Sequence, residues 1–351
     1  MARKRIKKKV INTITFIIII LIIGIILFIL NDKYKPFESK IDKQLKTVFS
    51  EEEVKVIKDN KNEDIVLELM GLNSFEKGNL DRYIEFKNSN KDLDNEKVVL
   101  LVNKDIDKIE GFIYDDIIFN LLDEKYYIYN NTNRYISYYK TNTKLTSKEV
   151  VTNVNSNIDR PFYTDMTKAD LSKGNLILVN KYNYLDSDYE PDLVEIDDDY
   201  TRYEGYVTSD TLKAFKKMVD AASNDDITLY AVSPYRSYSL QNYLYERYAS
   251  YDGYEKADTY SARPGSSEHQ TGLAIDINAA DDWFNDTKEA AWLAKNAYKY
   301  GFILRYPLGK EYITGYQYES WHYRYVGEDV AKYIYDNDLT YEEYYAFYVA
   351  K

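Results

Sequence analysis

The chain has 351 residues, 45% of them hydrophobic, and a formal net charge of −12 at pH 7, so it is long enough for two or three folded units with cores. Residues 1–30 hold six basic residues and no acidic ones, which leaves a net charge of −18 on residues 31–351. So acidic a body argues against nucleic-acid binding, which needs a basic patch. The absence of cysteine excludes disulfides, thiolate catalysis and thiolate metal sites.

The first 47 residues have the pattern of a membrane anchor. A basic tail at residues 1–9 precedes an uncharged run rich in Ile and Leu at residues 10–30. As a helix this run spans about 30 Å of hydrocarbon, and no small-residue cleavage site follows it. Since basic flanks stay in the cytoplasm, we expect a single-pass protein of the cell membrane with all residues after position 30 on the extracellular side. Residues 31–47 are predicted to form a polar linker.

An internal repeat with a constant offset of 52 residues occupies residues 48–160. Two units of this size predict stacked helical hairpins. Because repeat arrays usually need three or more units for stability, these two repeats are expected to pack against another part of the chain. The sequence assigns no binding partner to them. The clearest recurrences are Arg82-Tyr83-Ile84 as Arg134-Tyr135-Ile136, and Val102-Asn103 as Val154-Asn155.

Residues 161–351 are predicted to form a separate domain in which helices and short strands are mixed. They follow no βαβ rhythm, which predicts an α+β fold with a small antiparallel sheet and flanking helices. The alternation of apolar residues predicts a half-buried strand at 273–277. The other predicted elements are a helix starting at Ser209, a strand at 227–232, a helix at 240–249, a helix at 286–300, strands at 302–306 and 318–326, and two short helices after them.

Both histidines of the chain lie in this domain and suggest a zinc site. Zinc takes neutral nitrogen and anionic oxygen ligands when no thiolate is available, so His269, Asp276 and His322 are the economical set. Three protein ligands leave one position open for water, which is the catalytic arrangement. We expect Asp276 on the strand, His269 in the loop before it, and Gly272 to let the backbone turn between them.

A general base and an anion-binding group can be assigned near these residues. Glu319 lies three positions before His322, and a base must sit beside the metal without ligating it. Because positions i and i+3 of a strand face opposite sides, we expect a bulge or turn near Ser320. Arg236 follows a predicted strand, with Gln241 five residues on, and its guanidinium can hold a carboxylate or an oxyanion.

Three ordered motifs resemble the VanY-like D-alanyl-D-alanine carboxypeptidases, a group of zinc peptidases related to lysostaphin-type enzymes and the hedgehog fold. The resemblance covers roughly residues 170–335. It implies Glu319 and Arg236 as catalytic residues, and Arg236, Gln241 and Ser267 at the substrate. Many relatives have proline where this chain has Ser320, a departure that leaves the predicted metal ligands untouched. The motifs are Ser233–Gln241, His269 and Asp276 separated by six residues, and Glu319-Ser320-Trp321-His322.

The resemblance implies a zinc D,D-carboxypeptidase that removes the C-terminal D-alanine from bacterial peptidoglycan stem peptides. The predicted anchor fits this function, because it would make the enzyme membrane-anchored and extracellular, where the substrate lies. An L,D-carboxypeptidase and an endopeptidase acting on the same substrate remain alternatives with the same chemistry. A wall-binding protein without turnover is a further alternative from another class. The presence of Glu319 argues against this last reading.

Overall fold

The computed structural model describes residues 15–26 and 39–350. The chain divides into two compact units, one ending at Phe112 and the other beginning at Ile113. Helices and small sheets are mixed, which agrees with the predicted α+β class.

The predicted transmembrane helix and single-pass membrane localisation are contradicted by the structure. Among the described residues, no helix has both the length and the apolar character needed to cross a bilayer. Crossing the hydrocarbon takes about 20 apolar residues in one helix, which extend about 30 Å. The predicted tail at 1–9, the two ends of the predicted span and residues 31–38 of the predicted linker lie outside the described residues.

Among the residues described from position 39 onward, all regular secondary structure of the first unit is helical. Several helices begin directly after a serine or aspartate whose side chain caps the helix. The side chain of Ser50, for example, accepts a hydrogen bond from the Glu53 N–H, and the Glu53 side chain accepts one from the Ser50 N–H. Its helices are α1 (Lys40–Leu45), α2 (Glu51–Asp59), α3 (Glu63–Met70), α4 (Leu80–Ser89) and α5 (Asn95–Asn103).

The second unit begins with three helices and continues into the mixed part. Its helices are α6 (Ile117–Leu122), α7 (Thr132–Thr141), α8 (Ser147–Asn155), α9 (Ser209–Asn224), α10 (Tyr238–Asp252), α11 (Tyr254–Ala257), α12 (Lys288–Asn296), α13 (Glu311–Thr314), α14 (Glu328–Asp336) and α15 (Tyr341–Tyr348). Its strands are β1 (Thr167–Lys168), β2 (Asn183–Tyr184), β3 (Val194–Glu195), β4 (Tyr206–Val207), β5 (Ala231–Ser233), β6 (Ala274–Ile277), β7 (Phe302–Leu304) and β8 (His322–Tyr325).

The recurring arginine performs the same task in each repeat, which explains its recurrence. In the first unit Arg82 donates from Nε to Asp107 (2.7 Å) and from a terminal nitrogen to the Val102 carbonyl at the end of α5 (2.9 Å). In the second unit Arg134 donates in the same way to Asp159 (2.9 Å) and to the Val154 carbonyl near the end of α8 (3.0 Å). The arginine thus ties one helix of its repeat to the end of the next.

Helix α15 is the part of the second unit against which the second repeat packs. The Tyr126 ring stacks on the Phe347 ring with centroids 3.9 Å apart and an interplanar angle of 8°. The Tyr126 hydroxyl also hydrogen-bonds that of Tyr348. These aromatic contacts supply part of the burial that a lone repeat lacks.

The main sheet has four strands in the order β5-β6-β8-β7, all antiparallel, and two two-stranded sheets lie outside it. All four residues of β6 are buried, so this central strand is covered on both faces, not half-buried as the alternation predicted. Ile275 and Ile277 pack into the core with Phe215 and Met218 of α9. The opposite face of β6 carries Asp276 and belongs to the site.

Candidate metal centre and active site

The register of β6 and β8 brings two of the predicted metal ligands, Asp276 and His322, together. Asp276 on β6 pairs directly with His322, the first residue of β8. His269 lies in a 3₁₀ turn, Glu268–Thr271, that ends two residues before β6. Gly272 closes this turn with φ +68°, and a Cβ there would lie 2.9 Å from the Leu193 side chain, so glycine is required.

The three predicted metal ligands form one compact cluster. The Asp276 carboxylate lies between the rings, with Oδ2 3.4 Å from His269 Nε2 and Oδ1 3.2 Å from His322 Nδ1. One ligand atom from each residue can be chosen so that all lie within 4.8 Å of one another, and all three residues are buried. Asp276 Oδ1 has no hydrogen-bond partner among the described residues. An anionic oxygen held between two imidazoles in this way fits a dication such as zinc.

The second nitrogen of each imidazole is held from outside the cluster. His269 Nδ1 lies 2.8 Å from the Pro234 carbonyl oxygen, an acceptor only, so Nδ1 carries the proton and Nε2 presents its lone pair to the cluster. His322 Nε2 faces the Glu268 carboxylate, with 3.5 Å between the nitrogen and Oε2. The rings therefore point different nitrogens, Nε2 and Nδ1, at Asp276.

Burial and mutual charge shift the pKa of every group in the cluster. Burial lowers the pKa of His269. For His322, burial lowers the pKa, but the neighbouring carboxylates of Asp276 and Glu268 outweigh it and raise the pKa to about 9. For Asp276, burial opposes ionisation, yet the two histidines hold its pKa well below the usual range. The cluster without metal therefore keeps a proton on His322 that a dication would displace.

Glu319 lies beside the cluster, at the turn expected near Ser320. The His322 N–H donates to the Glu319 carbonyl (3.3 Å), and this turn places Glu319 Oε2 3.6 Å from His322 Nδ1. Burial raises the pKa of Glu319 to about 8. A carboxyl of raised pKa close to the cluster is the type of group that accepts and returns protons near neutral pH.

Arg236 also lies close to the cluster, where two neutral partners anchor its guanidinium. It donates to the Gln241 side-chain oxygen (2.7 Å) and to Ser233 Oγ (2.8 Å), and one terminal nitrogen lies 3.7 Å from Asp276 Oδ2. Gln241 in turn donates to the Ala262 carbonyl (2.7 Å). Both the oxygen and the nitrogen of the Gln241 amide therefore form hydrogen bonds within the protein, and these bonds allow Gln241 to orient Arg236.

A cavity of about 340 Å³ connects all the predicted residues. Ser267, buried like the ligands, is part of its wall. The sequence reasoning missed Glu268, whose only signal was its position next to His269, and Tyr306, whose ring centroid lies 4.8 Å from that of His322. The other wall residues that were not predicted include Tyr248, Tyr260, Asp281, Asp282, Tyr316 and Gln317.

Comparisons with known proteins place this site in a family. Residues 204–328 match the family model described as VanY, D-alanyl-D-alanine carboxypeptidase. The putative carboxypeptidase YodJ of Bacillus subtilis is 43% identical over 205 residues, which cover 54% of this chain and 75% of YodJ. A solved structure of the LD-carboxypeptidase LdcB is 44% identical with a TM-score of 0.49, covering 52% of this chain and 91% of that one.

A D-alanyl-D-alanine carboxypeptidase of Enterococcus faecalis is 35% identical over 193 residues, covering 52% of this chain and 69% of that enzyme. The family match and the buried His-Asp-His cluster confirm the predictions of a metallocarboxypeptidase and of zinc as its cofactor. The family model matches residues 204–328, and two relatives are matched over more than two thirds of their length, so the chain belongs to the VanY family of D-alanyl-D-alanine carboxypeptidases.

Proposed function

We propose that the chain is a zinc D,D-carboxypeptidase that removes the C-terminal D-alanine from peptidoglycan stem peptides. The observation that carries this proposal is a single cavity holding a buried His-Asp-His cluster, a carboxyl of raised pKa and an anchored guanidinium. The reaction needs these three kinds of group: metal ligands, a proton carrier and a binder for a terminal carboxylate.

His269, Asp276 and His322 are the proposed zinc ligands. When bound, zinc acts as a Lewis acid that polarises the scissile carbonyl and makes water a nucleophile near neutral pH. Two neutral imidazoles and one carboxylate neutralise half of the charge of a dication, which keeps it strongly acidic. The outer contacts of the histidines hold the ring nitrogens in the positions that ligation requires.

Glu319 is the proposed general base and acid. Its carboxylate takes a proton from the attacking water and returns it to the nitrogen of the departing D-alanine. The turn at Ser320 keeps the carboxyl 3.6 Å from His322 Nδ1, beside the cluster. Removing such a proton carrier typically costs 10²–10⁴ in rate.

Arg236 is the proposed holder of the substrate carboxylate. Of its five N–H groups, one on each terminal nitrogen is used by Gln241 and Ser233, which leaves donors for a two-bond grip on a carboxylate. Gln241 contributes by fixing the guanidinium, and Ser267 by shaping the wall of the cavity.

The test is mass spectrometry of muropeptides after incubation with the zinc-loaded chain. Release of one D-alanine from pentapeptide stems, with tetrapeptide and cross-linked stems left intact, is the expected result. Trimming of tetrapeptides alone would instead establish the L,D-alternative, and cleavage of cross-links the endopeptidase. Glu319→Gln should abolish release, whereas Glu328→Gln, at an exposed position outside the cavity, should not. Full activity of Glu319→Gln would refute the proposed mechanism.

A further inference from the structure

A network of four charged side chains lies buried behind the metal cluster. Arg305, Arg324 and Glu268 are fully buried, and Glu342 of α15 is almost fully so. The Glu268 Oε1 atom accepts from Arg305 Nε and from an Arg324 terminal nitrogen, each at 2.8 Å. Arg305 also donates to both oxygens of Glu342, at 2.9 and 2.6 Å. Two positive and two negative charges therefore balance in a region without solvent contact.

One oxygen of this network is directed away from the arginines. Glu268 Oε2 has no hydrogen-bond partner among the described residues, and the same is true of His322 Nε2. These two buried atoms face each other across 3.5 Å. A carboxylate oxygen can only accept and a protonated imidazole nitrogen can donate, so each atom is the partner that the other lacks.

We propose that Glu268 is the positioning residue of the metal centre. It accepts the Nε2 proton of His322, which fixes the ring in the tautomer whose Nδ1 lone pair faces Asp276 and the metal. Metal-ligating histidines usually donate their second N–H to such an acceptor, which also raises ligand basicity. The inference rests on the metal ligands of the proposed function, but it concerns metal binding and not the choice of substrate.

The two arginines give this carboxylate a defined orientation. Because both guanidinium groups donate to Oε1, Oε2 remains the oxygen available to His322. In Glu268→Gln the amide oxygen would stay with the arginines, since two donors cannot face each other, and the amide NH₂ would point at His322. The ring would then carry its proton on Nδ1, which is the nitrogen that the metal needs free.

Glu342→Gln is the matched control, because it also removes a buried carboxylate that accepts from Arg305 but has no contact with His322. Zinc affinity of the full chain, measured by competition with a chromophoric chelator, should fall about 10–100-fold in Glu268→Gln. Glu342→Gln should keep wild-type zinc affinity, although thermal unfolding of the metal-free protein should show destabilisation in both. Equal loss of zinc affinity in the two variants, or none in Glu268→Gln, would overturn the proposal.

The wild-type chain provides a test that does not depend on a variant folding. It has only two histidines, so two-bond ¹H–¹⁵N spectra of the zinc-loaded protein contain only two imidazoles. One ring should be protonated at Nδ1 and the other at Nε2, the Nε2 proton being shifted downfield and slow to exchange. Rings of the same tautomer, or a rapidly exchanging Nε2 proton, would refute the role of Glu268. Full zinc retention by Asp276→Ala would instead show that the ligand set itself is wrong.

Discussion

Arg236 offers the sharpest test of whether the enzyme recognises the free C-terminal carboxylate of its substrate. Replacing Arg236 with alanine removes the guanidinium, and amidating the substrate terminus removes the carboxylate that we expect it to hold. If the two groups form one interaction, either change alone should cost the same, and both together should cost little more. If Arg236 stabilises the oxyanion at the scissile bond instead, the two losses should add.

The size of the effect follows from the contacts of the side chain. Gln241 and Ser233 use one N–H on each terminal nitrogen, so two further N–H groups remain for two charge-assisted hydrogen bonds. Such bonds contribute about 1.5–3 kcal/mol each. Loss of both should therefore lower kcat/KM by about 10²–10⁴-fold, since each 1.4 kcal/mol is a factor of ten.

The assay is the release of D-alanine from a pentapeptide and from its C-terminal amide, by wild type and by Arg236→Ala. Ser233→Ala is the matched control, because it removes one anchor of the guanidinium and leaves the charge in place. It should cost less than Arg236→Ala and retain the preference for a free carboxylate. Multiplicative losses in the double change, or equal cleavage of acid and amide by the wild type, would refute the reasoning.

Three further predictions concern the metal and the stability of the second unit. Purified protein should contain about one equivalent of zinc, lost in Asp276→Asn but kept in Asp282→Asn at the exposed rim of the cavity, as metal analysis would show. Burial lowers the pKa of Lys181 from 10.5 to about 8, so between pH 8 and 10.5 the unfolded state binds more protons than the folded state. Over this range the free energy of unfolding of the wild type should rise by up to about 3 kcal/mol relative to that of Lys181→Met. A difference in urea unfolding that does not change with pH would contradict this. Tyr126→Ala should lower the free energy of unfolding by about 0.5–1.5 kcal/mol beyond the lost burial, whereas Tyr251→Ala, 80% exposed, should leave it unchanged.

The residues of the His-Asp-His cluster could be predicted from the sequence because few residue types can bind a metal. With no cysteine and only two histidines, the choice of His269 and His322 was nearly forced, and the strand pattern supplied Asp276. The turn at Ser320 also followed, since a strand alone could not have put Glu319 and His322 on one side. What brings Asp276 and His322 together is the antiparallel register of β6 and β8, which no local pattern encodes.

The buried network could not be predicted for a physical reason. Arginine and glutamate usually lie at the surface, so Arg305, Arg324 and Glu342 gave no sign that they would meet in the interior. Their burial depends on charge pairing between segments far apart in the chain. The N-terminal prediction rested on hydropathy, which describes the composition of a run of residues and not the length of the helix that it forms. No helix of the described residues has both the length and the apolar character needed to cross a bilayer.

Helix α15 has two occupied faces, and this determines where the chain can be shortened. On one face, Glu342 accepts hydrogen bonds from Arg305. On the other face, the Phe347 ring stacks on Tyr126 of the second repeat. A truncated protein starting at residue 161 would retain everything that the family model matches, yet it would expose Phe347 to water and favour aggregation. A protein starting at residue 113 keeps both faces covered, so the smallest soluble and active fragment should include the second repeat.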